Sequence, residues 1–234
     1  MLAFPRVAIA AVILAFMPLL NASGADAPRS ETAEQLRIEQ AVQAYAGKLR
    51  ADQQKARDQA VVNRTTDLLN DPGTPVLGNP RGDVAVIEFF DYTCSFCKAV
   101  EPRLEKLLQD DKNVKLILKD FPILTPESLI ASRAALASVK QGKYEPFHHA
   151  LIGFRGQLQT STIFEIAKNA GLDVDRLRKD MDAPEIADQI IANFNLARSL
   201  RITTTPEFVI GTHMIMEPSG QIDFPKAIAA ARAK

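Results

Sequence analysis

The chain has 234 residues, 28 Lys and Arg against 28 Asp and Glu, no Trp and two cysteines. This length buries a proper core without covalent staples, and 47% hydrophobic with 24% charged residues is the composition of a soluble globular protein, not a disordered or membrane one. Zero net charge argues against a general nucleic-acid binder, which needs a basic face, and two cysteines make neither a disulfide scaffold nor a four-thiolate zinc or iron–sulfur site.

Residues 1–25 read as a secretory leader, with Arg6 as the positive start, Val7 to Leu20 as the apolar stretch and small residues from Ala22 to Ala25 for cleavage. The apolar run is shorter than the ~20 residues a spanning helix needs. Cleavage after Ala25 is therefore expected, with the mature chain exported to the periplasm. Disulfides are made and kept in such a compartment.

Residues 26–72 form the next block, a polar helical extension. The spacing predicts a helix from Ser30 to about Asn70, opened by a Thr32-x-x-Gln35 capping box. Ile38, Val42, Tyr45 and Leu49 lie on one narrow stripe, which thins beyond Leu49 through Asp52, Ala56 and Asn63. Two readings stand: a solvated helix leaning on the main domain, or an arm whose stripe meets its copies in a homo-oligomer. Asp71-Pro72-Gly73 and Gly78-Asn79-Pro80 then make turns, and the main domain is placed at 73–234.

Val84 to Phe90 is a nearly continuous apolar run, as expected of a strand covered on both faces. A helical pattern over Lys98 to Asp110 and a strand from Val114 to Leu118 complete a βαβ unit with a parallel pair. Residues 126–200 then read as a block of consecutive helices. Strand character returns at Glu207 to Ile210 and at His213 to Met216 as a hairpin, and Phe224 to Ala233 closes the chain as an amphipathic helix.

The two cysteines stand as Cys94-Ser95-Phe96-Cys97, between the first long strand and its helix. A thiol at a helix N-terminus meets unpaired N–H groups and the positive end of the dipole, which favour the nucleophilic thiolate. A second thiol one turn on can close a ring with the first, making a two-electron switch. The same pair is also open to copper(I), to zinc, or to a static disulfide, although no further cysteine pair or histidine cluster completes a zinc site in the sequence. No resident cofactor or metal is expected.

Around this pair, the run Phe89 to Lys98 resembles the active-site segment of DsbA-like thiol–disulfide oxidoreductases of the thioredoxin fold. Pro102 matches the kinking proline of thioredoxins, and Thr203 to Gly211 resembles the family's cis-proline loop. The extension, and the runs 71–82 and 121–128, look most like the branch related to suppressor of copper sensitivity protein C (ScsC). The resemblance implies an α/β thioredoxin fold with an inserted helical domain and an N-terminal helical extension. It implies Cys94 as attacking thiol, Cys97 as resolving thiol, and a Thr205-Pro206 loop that holds the substrate chain. The partners it implies are exported proteins with cysteines, a membrane redox partner that resets the site, and its own copies, since some members trimerise through such an extension and act as isomerases. The alternative is a periplasmic copper(I)-binding protein using the same cysteines. Ser95-Phe96 departs from the Pro-His of DsbA and removes an imidazole that would stabilise the thiolate, which suits a more moderate redox poise.

Individual residues carry further expectations. Pro206 is expected to be cis, since a cis X–Pro bond costs only about 0.5–1 kcal/mol and aims neighbouring backbone groups outward. Glu88 matches the acidic residue beneath the DsbA active site. Within an apolar strand it is expected to be protonated or partnered, with Lys119 as the candidate partner, and to relay the proton of Cys97. His148 and His149 are read as ordinary helix positions, and Met214 with Met216 as apolar filling on one strand face.

Overall fold

The computed structural model describes residues 27–215 and 221–233. The expected leader and Met216 lie outside these residues. The chain divides into two compact units, one through Leu49 and one from Arg50.

In the first unit, the described residues are all part of helix α1 (Ala27–Asn63). The helix is already formed at Thr32, so the Thr32-x-x-Gln35 pattern does not mark its start. Ile38, Val42, Tyr45 and Leu49 are all exposed, Tyr45 by 70%. Past Arg50 the same helix belongs to the second unit, where Val61 is 2% exposed. There Gln54 Nε2 donates to the Met214 carbonyl at 2.8 Å, and Asp58 accepts from the Met214 N–H at 3.1 Å. Helix α2 (Thr65–Leu69) follows and buries Leu68. Residues 50–72, expected as part of the extension, thus pack within the second unit.

Five strands form one sheet in the order β1-β3-β2-β4-β5: β1 (Val76–Gly78), β2 (Val84–Phe90), β3 (Val114–Asp120), β4 (Glu207–Ile210) and β5 (His213–Ile215). Strands β2 and β3 are parallel, and every other pair is antiparallel. All seven residues of β2 are buried, as its continuous apolar run requires. Strand β1 replaces part of what the sequence presents as turn. It is three residues long and only Leu77 points inward, too little for a period-two pattern to show.

Alternation along β2 divides two cores. Val84, Val86 and Phe90 face helix α3 (Ser95–Asp110), through Val100 and Leu104, and helix α9 (Phe224–Arg232), through Phe224 and Ile228. Between β3 and β4 come α4 (Pro126–Ser138), α5 (Tyr144–Gly153), α6 (Thr160–Asn169), α7 (Val174–Asp180) and α8 (Pro184–Ser199). Ala131, Phe147, Leu151, Ile163 and Leu177 of this insertion extend the first core. Ala85, Ile87 and Phe89 face the other way, onto Val61, Leu68, Leu196, Leu200 and Met214. This is a thioredoxin fold with an inserted helical block, as expected.

The short helix α2 owes its place to Leu68, since five residues hold no helix by propensity alone. Leu68→Ala should lower the unfolding free energy by about 2–5 kcal/mol in denaturant titration. Arg37→Ala, on the exposed part of α1, should change it by less than about 0.5 kcal/mol.

Candidate active site

Strand β2 ends at Phe90, and a four-residue turn delivers Cys94 to the N-cap of α3 with extended backbone (φ −70°, ψ 119°). Its sulfur accepts from the Cys97 N–H at 3.4 Å and lies 3.3 Å from the Thr205 carbonyl, to which the thiol form donates. Both cysteines are free thiols, buried to 5% and 1% exposure. Beside them Phe96 stands 50% exposed. The Thr205–Pro206 bond is cis, as expected. The fold therefore brings together Cys94, Cys97, Thr205 and Pro206 from segments more than a hundred residues apart.

The two thiols are electrostatically unequal. A hydrogen bond from the Cys97 thiol does most to push the Cys94 thiol down to about 6. The Thr205 hydroxyl and the N–H groups of Cys97 and Phe96 add to this, against partial burial. Cys97 is driven the opposite way, first by burial, then by its bond to Cys94 and the charge of Glu88. At neutral pH Cys94 is the thiolate and Cys97 the thiol.

Glu88 lies in the first core beneath the pair, 2% exposed. Burial, reinforced by the negative charges of Glu101 and Cys94, raises its carboxyl well above the usual range. The expected pairing with Lys119 is not formed. Lys119 is aligned with Phe89, whereas Glu88 is aligned with Leu118, so the two side chains leave opposite faces of the sheet. Lys119 instead binds Asp71 at 2.9 Å, Thr74 at 2.8 Å and the Asp67 carbonyl at 3.2 Å, tying the segment before β1 to the sheet.

Asp91, absent from the residues singled out in the sequence, organises the turn. It is fully buried, and Oδ1 accepts from Thr93 N–H at 2.7 Å, Thr93 Oγ1 at 2.9 Å and Ser128 Oγ at 2.7 Å. Oδ2 accepts from the N–H groups of Ile123 and Leu124 at 2.9 and 3.0 Å. The signal that marks it is local: an Asp two residues before a Thr, where a carboxylate bonds its own backbone two residues on. Met214 belongs to the second core, away from the cysteines, and His148 is buried against Tyr92 and Tyr144.

Comparison with known proteins agrees with this geometry. Residues 85–229 match the sequence profile of the DSBA-like thioredoxin domain. The crystal structure of a thioredoxin-like oxidoreductase from Silicibacter pomeroyi is 41% identical, covers 72% of this chain and 98% of its own, and superposes with a TM-score of 0.69. The catalytic domain of Proteus mirabilis ScsC is 26% identical, with 76% and 99% coverage and a TM-score of 0.67. Among curated relatives, a Na(+)/H(+) antiporter NhaA 1 from Salinispora arenicola is 28% identical over 143 residues, 60% of this chain and 22% of that one. The chain thus spans about a fifth of that relative's length.

The unequal thiols define a measurable titration. In the reduced protein, ultraviolet thiolate absorbance should rise with a single midpoint near pH 6, accounting for one thiolate per chain, and Cys97→Ala should move that midpoint upward by removing its principal hydrogen bond. Because the folded value lies below the ordinary 9.0, Cys94 contributes stability that is lost as pH falls from about 9 through 6.

Proposed function

The chain belongs to the DsbA-like thioredoxin-domain family, and on that premise we propose that it is a protein thiol–disulfide oxidoreductase or isomerase acting through Cys94 and Cys97. One observation carries the reading: a thiol held at about 6 on a helix N-cap, 3.3 Å from the carbonyl of a cis Thr205–Pro206 peptide. About nine in ten Cys94 side chains are thiolate at pH 7 by that value. Thiolate is the form that attacks a disulfide, and a value near ambient pH keeps it nucleophilic as well as ionised.

In the reducing direction Cys94 attacks a substrate disulfide, forming a mixed disulfide and releasing one substrate thiolate. Cys97 then attacks the Cys94 sulfur, releasing the second substrate thiol and leaving the enzyme disulfide. In the oxidising direction an incoming substrate thiolate attacks Cys94 of that disulfide, and Cys97 leaves into a site that disfavours its charge. Glu88, its proton affinity raised by burial, supplies the proton Cys97 then needs and takes it back in the reverse step. The Thr205–Pro206 loop holds the substrate backbone beside Cys94, and exposed Phe96 offers apolar contact at the mouth. Lys119 acts at a distance, by anchoring the 67–74 segment.

The substrates in this reading are exported proteins with cysteines, in the periplasm after removal of residues 1–25. A membrane redox partner resets the pair. The exposed stripe of Ile38, Val42, Tyr45 and Leu49 supports assembly into a homo-oligomer, a trimer in the ScsC manner. A copper(I) site on the same thiols is not favoured. The Cys94 sulfur faces the cis-proline loop and Cys97 is buried, and Met214, the described methionine best placed in sequence to lend a thioether, packs in the other core.

Cys94→Ala should abolish exchange with scrambled or reduced model proteins, while Cys97→Ala should accumulate mixed disulfides visible on non-reducing gels. Glu88→Gln should slow turnover without moving the Cys94 midpoint. Full exchange activity in Cys94→Ala would overturn the reading. Separately, deleting residues 26–49 should reduce the mass in solution to that of one chain while leaving reduction of a small disulfide unchanged, because the second unit keeps Val61 and Leu68. An unchanged mass would remove the arm's role.

A further inference from the structure

Outside the redox pair, the insertion and α3 bring together Glu101, His148 and His149, whose candidate ligand atoms all lie within 4.8 Å of one another. We propose that this cluster is a binding site for a divalent cation of the zinc class, with Glu101 and His148 as its buried floor and His149 and Glu105 at its mouth. The geometry is that of a ligand set drawn together without its ion. Glu101 Oε1 is 2.9 Å from His149 Nδ1 and 3.6 Å from His148 Nε2, and Glu105 Oε1 is 3.2 Å from His149 Nδ1. Tetrahedral ligands about 2.0–2.1 Å from a zinc ion stand roughly 3.3 Å apart, so small side-chain movements suffice.

A second observation points to a ligand independently. His148 Nε2 is buried without a hydrogen-bond partner and is directed at Glu101. An imidazole nitrogen left so in a polar site is costly unless something occupies it. Its other nitrogen, Nδ1, lies 2.9 Å from the Tyr92 hydroxyl. With Nδ1–H donating to that oxygen, Nε2 presents its lone pair to the cluster, which is the outer-shell arrangement that orients metal-binding histidines. Tyr144 stacks on the same ring at 5.5 Å and an interplanar angle of 15°, fixing its plane.

Charge and access agree. Glu101 is a buried carboxyl, 7% exposed in its side chain, with the two imidazoles beside it. Glu105 and Glu145 stand at the rim, 44% and 65% exposed in their side chains, and His149 is 31% exposed, leaving a solvent route for a cation. A mixed histidine and carboxylate set suits zinc and its neighbours better than calcium or magnesium, which prefer oxygen alone.

The site can be tested in the full chain carrying Cys94→Ser and Cys97→Ser, which removes the competing thiolates. Zinc titrated against a chromophoric chelator should load about one ion per chain, with an X-ray absorption signature of nitrogen and oxygen ligands, imidazole included. His149→Ala and His149→Gln, at a half-exposed position, should each weaken affinity at least about tenfold, whereas His213→Ala should not. Zinc should raise the unfolding midpoint of the parent and not that of the His149 variants, a comparison that separates loss of binding from any loss of metal-free stability. Failure of the thiol-free chain to bind zinc, or His149 variants that bind as tightly as their parent, would overturn the proposal. Neither result bears on the redox reading, which is tested through the cysteines.

Discussion

The buried carboxylate of Asp91 is the constraint on which the site depends. Five donors converge on it from three segments: the turn before Cys94, the loop after β3, and the first turn of α4. A charge this deep is tolerable only when its lone pairs are filled, and hydrogen bonds to a charged group contribute about 1.5–3 kcal/mol each, not additively. The consequence is geometric. The turn cannot move without unseating the start of the insertion, because Ser128 both bonds Asp91 and completes the capping box with Thr125 that opens α4. Cys94 is thereby set at the helix N-cap by a joint that also docks the helical block.

Given that placement, the difference between the thiols follows from where each sulfur sits along one helical turn. Cys94 meets N–H groups and a thiol donor at the open end of α3, while Cys97 faces the core with Glu88 beneath it. Burial alone would raise both. The donors at the N-cap reverse its sign for the first cysteine only, and each reduced thiol stabilises the other's role: the Cys97 proton supports the Cys94 charge, and that charge makes the proton harder to lose. Glu88 belongs to the same system, since the Cys94 thiolate is one of the charges that raise its carboxyl. Exchange that removes the thiolate relaxes all three groups together.

What the sequence displays and what it hides divide along physical lines. The apolar run of β2, the Cys-x-x-Cys at a strand–helix junction and the Thr-Pro before β4 are local patterns, each with its own mechanism, and they identify the redox site and fold. Contacts that depend on strand alignment are not local. Glu88 and Lys119 look adjacent as ends of neighbouring strands, but a one-residue offset in a period-two structure sends them to opposite faces. Two of the five donors to Asp91 belong to Thr93 and follow the local Asp-x-Thr spacing, but the other three come from positions 32 to 37 residues away, and nothing in their spacing announces them. Strand β1 escapes for a different reason: three residues with one inward side chain carry no periodicity. The cut of the N-terminal segment at 72 follows composition, whereas packing follows single residues: Val61 and Leu68 in the second core, Gln54 and Asp58 on Met214 and Asp71 on Lys119 hold residues 50–72 to the sheet.

The arrangement also explains why α1 changes character midway. Up to Leu49 its apolar residues are exposed; beyond it Asp58 and Gln54 are committed to the backbone of β5 and Val61 to the second core. Strand β5 is the edge of the sheet, and an edge with unpaired N–H groups invites another chain. Asp58 takes the Met214 N–H and Gln54 donates to the Met214 carbonyl, so the second half of α1 blunts that edge with side chains. The first half has no such duty. With the Met214 backbone so occupied, β5 is a poorer template for another chain to extend the sheet, and the second half of α1 is held in place by the same two contacts.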